Sequence, residues 1–304
     1  MMLGMTTGDG DTGRLFPEDL GDVDPVAAVM LADACRAIAA YPELVVVGAL
    51  FTATERVVDG WQVVCPYDPL PQGAREMLAD HLGDRAALAG GGAARELGAA
   101  ARSLRAGPRD EVRADGRRFR IVRIEQLVRT GLDGPEPPRP TDPDPRADGR
   151  RPVPARPYEL LRDGAGVPES AAGELLCQVL DAAARTGAEP AEGFWVPVPL
   201  APAFTVAERV EGRWQPVGRL YDAPRQARDS LATYFRHVVP AVERPDEAAL
   251  AEYARAAAAM RDGTRRNGIA VAGRRFRIVR IERITLLGPD GPEPPRPTDA
   301  DVAG

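Results

Sequence analysis

Lysine is absent from the 304 residues, so all 39 basic side chains are arginine, and Asn267 is the only asparagine. The absence excludes a P-loop lysine, a Schiff base and a lysine general base. Arginine-only usage fits codon bias in a GC-rich genome. Two histidines (His81, His237) and three cysteines (Cys35, Cys65, Cys177) show no HxxxH or CxxC grouping, so no metal site is expected and the thiols are expected to be reduced. No apolar run approaches the ~18 residues of a membrane span. The start, "MMLGMTTGDGDTG", lacks the basic and apolar stretches of a signal peptide. These features predict a cytoplasmic protein without membrane contact. A net charge of −6 argues against a general nucleic-acid coat.

What is present is repetition. "GRRFRIVRIE" begins at Gly116 and again at Gly273, each copy running on into "GPEPPRPTD". Residues 116–142 and 273–299 agree at 21 of 27 positions, and "FTATERVVDGWQ" from Phe51 matches "FTVAERVEGRWQ" from Phe204 at 7 of 12. The offset, roughly 150 residues, exceeds any solenoid repeat and predicts two duplicated domains. Their expected limits are 22–142 and 167–300. An acidic N-terminus (1–21), a Pro/Arg-rich linker (143–166) and a short tail (301–304) surround them.

Within each copy the pattern reads α-β-β-α-α-β-β, an α+β fold with hairpins in antiparallel sheets and helices on one face. Asp24 and Pro25 open the first helix of copy one, and Pro168 opens its counterpart. Asp59-Gly60 and Glu211-Gly212 mark hairpin turns. Pro71 and Pro224 begin the second helices, and the third cover about 93–106 and 246–261. The second helix of copy two has its apolar face at Ala227, Leu231, Tyr234, Phe235 and Val238.

The repeated strand is unusual in its alternation. Phe119 and Ile121 share one face, Val122 and Ile124 the other, so the apolar side switches between Ile121 and Val122. Either a β-bulge or a long strand passing between packing layers would do this. Residues 117–130 hold five arginines and one glutamate. Arg118, Arg120 and Arg123, with Arg275, Arg277 and Arg280, are therefore candidate anion-binding side chains. Internal pairing is the competing expectation, with Arg123 and Arg280 answering Glu55 and Glu208. In the tail, Pro138, Arg139, Pro295 and Arg296 are candidates for a partner contact of the PxxP kind. The tail reads equally as a rigid strap on its own domain, with the pairs Asp142/Asp144 and Asp299/Asp301 in a solvated end.

Catalytic groupings are scarce. Ser230 and His237 stand about 10 Å apart along a helix, too far for nucleophile activation. His81 aligns with Tyr234 and is expected at a core edge. Gly90–Gly92 reads as a loop, and Trp61 and Trp214 as rings packed under helices.

The strings "RFRIVRIE…GPDGPEPPRPTD", "FTVAERVEGRWQ" and "PRQARDSLA" resemble the actinobacterial family catalogued as domain of unknown function 5954, across most of the chain. The resemblance implies an actinobacterial cytoplasmic origin and brings no activity, ligand or cofactor. The resulting expectation is a noncatalytic adaptor, an intramolecular pseudo-dimer engaging a protein partner through the repeated strand and tail. A nucleic-acid or nucleotide-phosphate binder is the alternative. An enzyme with Asp, Glu and Arg groups meeting between lobes is the third reading.

Overall fold

The computed structural model describes residues 25–144, 160–162, a few positions between 175 and 194, and 196–299. The expected N-terminal segment, the Asp24 cap, the Pro168 helix start, most of the linker and the C-terminal tail lie outside the described residues. The first copy comprises α1 (Pro25–Ala40), β1 (Glu43–Val57), β2 (Gly60–Val63), α2 (Pro71–Leu88), α3 (Gly91–Arg105), β3 (Glu111–Ala114), β4 (Arg117–Gly131) and β5 (Gly134–Pro135). A short β6 (Leu160–Arg162) follows. The second copy comprises β7 (Val196–Val210), β8 (Arg213–Pro216), α4 (Pro224–Thr233), a π-helical turn (Tyr234–Val238), α5 (Val239–Val242), α6 (Glu247–Ala259), β9 (Gly268–Val271), β10 (Arg274–Gly288) and β11 (Gly291–Pro292).

The fold is mixed α and β, built on one curled antiparallel sheet ordered β6-β2-β1-β4-β10-β7-β8, with β3 and β5 on β4 and β9 and β11 on β10. Pro71 and Pro224 start their helices, where a missing N–H costs nothing, and the Asp246 carboxylate caps α6 by accepting from Ala249 N at 2.8 Å. The β3–β4 and β9–β10 turns place Asp115-Gly116 and Ala272-Gly273 at positive φ, the conformation of a tight hairpin. Gly90 and Gly91 open α3 instead of forming a loop. In copy one the β1–β2 pairing closes at Val57↔Gly60, so the turn is Val58-Asp59, one residue earlier than Asp59-Gly60 suggested.

Two cores flank the sheet. Phe51, Phe119 and Ile121 pack on Leu78, Leu82 and Leu104 from α2 and α3. Phe204, Phe276 and Ile278 pack on Leu231, Phe235 and Tyr253 from the helices of copy two. The opposite face of β4 is buried too, since Val122 and Ile124 join Leu50 and Trp61 with Val198 and Leu200 of β7. Ile121↔Ala53 and Val122↔Thr52 pair without a break, so the switched alternation reflects a strand passing between layers. The irregularities fall elsewhere, at Val46/Gly48 and Ile281/Arg283. Pro240 cannot donate to the preceding turn, and the π-helical turn just before it rotates the register. Val238, expected on the apolar face, is 42% exposed as a result.

Candidate functional site: the strand and strap seam

The repeated strands β4 and β10 touch directly over three residues: Gln126↔Arg283, flanked by Glu125↔Ile284 and Leu127↔Glu282. Gln126 and Arg283 hold the same place in the repeated string, so each copy meets its own counterpart. On either side the strands part and the proline straps fill the gap. Glu136 N donates to Arg129 O at 2.8 Å, while Glu136 O accepts from Arg280 N at 2.9 Å. Glu293 mirrors this, donating to Leu286 O at 2.9 Å and accepting from Arg123 N at 2.9 Å.

Each strap thus starts on its own strand and bridges to the other copy, where the sequence had suggested a strap on its own domain alone. The β4 edge explains the crossing. β3 occupies it at Arg117–Arg120 and β10 at Glu125–Leu127, leaving one intervening stretch for an incoming chain. Gly134 and Gly291, at φ +104° and +113°, bring the strap turns onto Trp214 and Trp61 of the opposite copies. A Cβ at either glycine would come within 2.2 or 2.4 Å of the indole nitrogen. The indoles therefore lie under strap turns; Trp61 is buried there, not beneath a helix.

The candidate arginines follow the same exchange. Arg280 donates through Nε to both oxygens of Asp142, at 3.0 and 3.1 Å, and pairs with Glu282. Arg139 bridges Glu136 (2.6 Å) and Glu282 (2.8 Å). In mirror image Arg123 pairs with Asp299 at 2.9 Å and with Glu125, and Arg296 with Glu293 at 2.7 Å and Glu125 at 3.1 Å. Pro138 is buried in this seam and Pro295 half-buried. Arg118 and Arg120 both grip Glu111 and Asp290, and Arg120 also donates to Pro292 O at 3.1 Å. Arg277 donates to Pro135 O at 2.9 Å and lies 5.0 Å over Trp214. Arg275 is exposed and has no ion pair among the described residues.

With the seam laid out, the comparison with known families is decisive. A family described as "Family of unknown function (DUF5954)" matches residues 24–302. The chain belongs to that family. No curated protein and no solved structure matches it.

In this DUF5954 chain the electrostatics follow burial. Burial pushes the Glu136 carboxyl up, and Arg139 only partly offsets it. Glu282 is opposed by burial as well, yet Arg280, Arg139 and Arg129 hold it below the usual carboxylate range. At the outer end, hydrogen bonds from Arg118 and Arg120 hold Asp290 far below that range. Glu55 does not meet Arg123; it pairs with Arg117 (2.5 Å) and Arg85 (3.0 Å), and Glu208 pairs with Arg274 (2.7 Å) rather than Arg280. The register decides this, because Glu55 faces Phe119, one diagonal step from Arg117. Asp142 and Asp299 are inside the ion-pair network and Asp144 pairs with Arg228, so these three carboxylates are not in solvated ends; Asp301 lies outside the described residues.

Sequence reasoning missed Glu111. Its signal was present in the alignment of the copies, where Glu111 faces Gly268. Elsewhere, an open cleft beside α4 is lined by Arg219, Tyr221, Asp229 and Ser230, and the Tyr221 hydroxyl lies 2.5 Å from Ser230 Oγ. Among the described residues no three His, Cys, Asp or Glu side chains gather as metal ligands. Among the same residues, no helix is long and apolar enough to cross a membrane.

Proposed function

We propose that this chain is a noncatalytic adaptor whose two lobes descend from an internal duplication and form a pseudo-dimer within one polypeptide. The observation that carries it is the reciprocal strap. Two backbone hydrogen bonds, Arg123 N to Glu293 O and Arg280 N to Glu136 O, relate to each other as the two halves of an isologous interface would. On this reading the near-identity of strand and strap reflects a fastener that must fit its own counterpart. Mutual neutralisation of Arg123, Arg280, Arg139 and Arg296 favours it over a nucleic-acid surface, since buried, paired guanidinia release no counterions on binding. The rigid pair then presents fixed outer surfaces to a protein partner. Cys35, Cys65 and Cys177, none of them in a disulfide, suit a reducing, cytoplasmic setting.

Affinity purification of the tagged full chain from an actinobacterial host, with and without nuclease, tests the reading. A stoichiometric protein partner surviving nuclease is expected. A partner-free monomer, or retained material released by nuclease, refutes it.

A further inference from the structure

The outer ends of the two copies carry the same platform with different fillings. In the first copy Trp61 lies beneath Arg118 and Arg120, at 5.1 and 5.0 Å, and is only 1% exposed. Two carboxylates fill the space around these cations. Glu111 stands directly across the hairpin from Arg120, and Asp290 arrives on the strap turn, 2.6 Å from both guanidinia. The outer edge of β2 is also taken, because Gly60–Gln62 pairs with Leu160–Arg162.

In the second copy Arg277 lies 5.0 Å over Trp214, as Arg120 does over Trp61. Strand alternation puts Arg275 on the same face as Arg277. The strand carboxylate is missing from this end. The residue across from Arg277 is Gly268, and Asp133, which arrives on the strap turn as the counterpart of Asp290, is exposed and makes no ion pair among the described residues. β8 ends the sheet, so its outer edge has no strand partner among the described residues, and Arg213 beside Trp214 is exposed. Pro216 lacks an N–H and stops that edge one residue beyond Gln215, and the stretch equivalent to Gly60–Gln62 has no strand partner among the described residues.

We infer that Arg275, Arg277 and Trp214, at the outer edge of β8, form a binding site for a carboxylate-bearing extended segment of a partner protein. The first copy shows what such an occupant looks like: a glutamate on a strand, an aspartate on a turn, and a short strand added at the edge. A planar guanidinium pair beside an indole face matches carboxylates through forked hydrogen bonds, and edge pairing gives the segment its direction. The overall charge of −6 disfavours a densely charged nucleic-acid polyanion more than a segment carrying two carboxylates. The inference rests on the adaptor reading for the carrier of the carboxylate; the site itself rests on the comparison of the two ends.

The test is fluorescence polarisation of the full chain with a fluorescein-labelled Val-Glu-Val-Asp-Val peptide, its Gln/Asn analogue, and a labelled dT12 oligonucleotide. Two variants bracket the site. Arg275→Gln removes a cation. Gly268→Glu restores the carboxylate of the first copy at a position where an added Cβ meets nothing closer than Phe276 O at 3.7 Å. Saturable binding of the acidic peptide is expected, weaker by about tenfold for the Gln/Asn analogue and for each variant, about the effect of one charge-assisted bond. Gly268→Glu should melt no lower than the parent, which separates lost binding from lost folding. Unchanged binding in Gly268→Glu, or tighter binding of dT12 than of the peptide, overturns the inference. If Gly268→Glu loses the peptide but keeps the host partner, the adaptor reading stands and this site is not its contact. Peptide binding without any host partner overturns the adaptor reading alone.

Discussion

Gly291→Ala isolates the strap from everything else in the fold. The added Cβ would stand 2.4 Å from Trp61 Nε1 and 2.7 Å from Cε2, and Trp61, 1% exposed, has no room to turn aside. The strap turn must lift. Lifting it forfeits the Arg120 bond to Pro292 O and the grip of Arg118 and Arg120 on Asp290. A hydrogen bond from a charged donor contributes about 1.5–3 kcal/mol, and backbone strain at φ +113° adds about 1–3 kcal/mol. The Asp290 pairs add little, since that side chain is 69% exposed. The expected loss is about 4 kcal/mol, a fall in Tm of about 8 °C at roughly 2 °C per kcal/mol for a chain of this size. Gly116→Ala is the control. It also sits at positive φ, +68°, but its Cβ would meet nothing within 4 Å. It should cost only the left-handed backbone penalty of about 1–2 kcal/mol. Differential scanning calorimetry of both variants gives the comparison. If Gly291→Ala melts no lower than Gly116→Ala, the strap turn does not rest on Trp61 and the exchanged arrangement is wrong.

Asp142→Asn should destabilise the chain by about 3 kcal/mol in urea titration, because it breaks a buried pair and leaves Arg280 short of a counter-charge. Asp142→Leu combined with Arg280→Met should recover part of that loss, since no stranded charge remains. Acid acts at the outer end. Glu111 and Asp290 have carboxyl pKa values lowered by Arg118 and Arg120, so the folded chain binds their protons less readily than the unfolded chain. Their contribution is full above the unfolded values of 4.5 and 3.8 and is lost as pH falls toward the lower folded values. The Tm difference between parent and Asp290→Asn should therefore be small but present at pH 7 and shrink progressively as pH falls below 3.8 toward the lower folded value; a difference that stays constant over that range contradicts the pairing.

The elements of this fold were legible because they depend on local chemistry. Pro71 and Pro224 announced their helices, and Asp59-Gly60 and Glu211-Gly212 announced the first hairpin of each copy to within one residue. The exchange of straps was not legible, for a specific reason. Residues 134–142 and 291–299 are identical, so a strap folded on its own copy and a strap folded on the other would make the same local contacts. Only the free edge left between β3 and β10 selects between them, and that is a property of the assembled sheet. Pairing of Glu55 with Arg117 was hidden likewise, because strand alternation identifies a face while register identifies the neighbour.

The difference between the two ends has a consequence for why two copies would share one chain. Identical subunits joined through this seam would carry identical ends, each closed by a glutamate or each open. Within one polypeptide that constraint is removed. Glu111 can complete the ion-pair network at one end, while Gly268 leaves the matching arginines without a carboxylate partner among the described residues at the other. A glutamate at 268 would add a favourable pair to the fold and remove a place for a ligand, so the position sets stability against binding. The same choice recurs at the sheet edges, where β6 covers β2 and no described strand covers β8. Because both departures from equivalence occur at the same end, the second copy carries the binding surface on the proposed reading, and the first copy, through its strap, holds that surface in place.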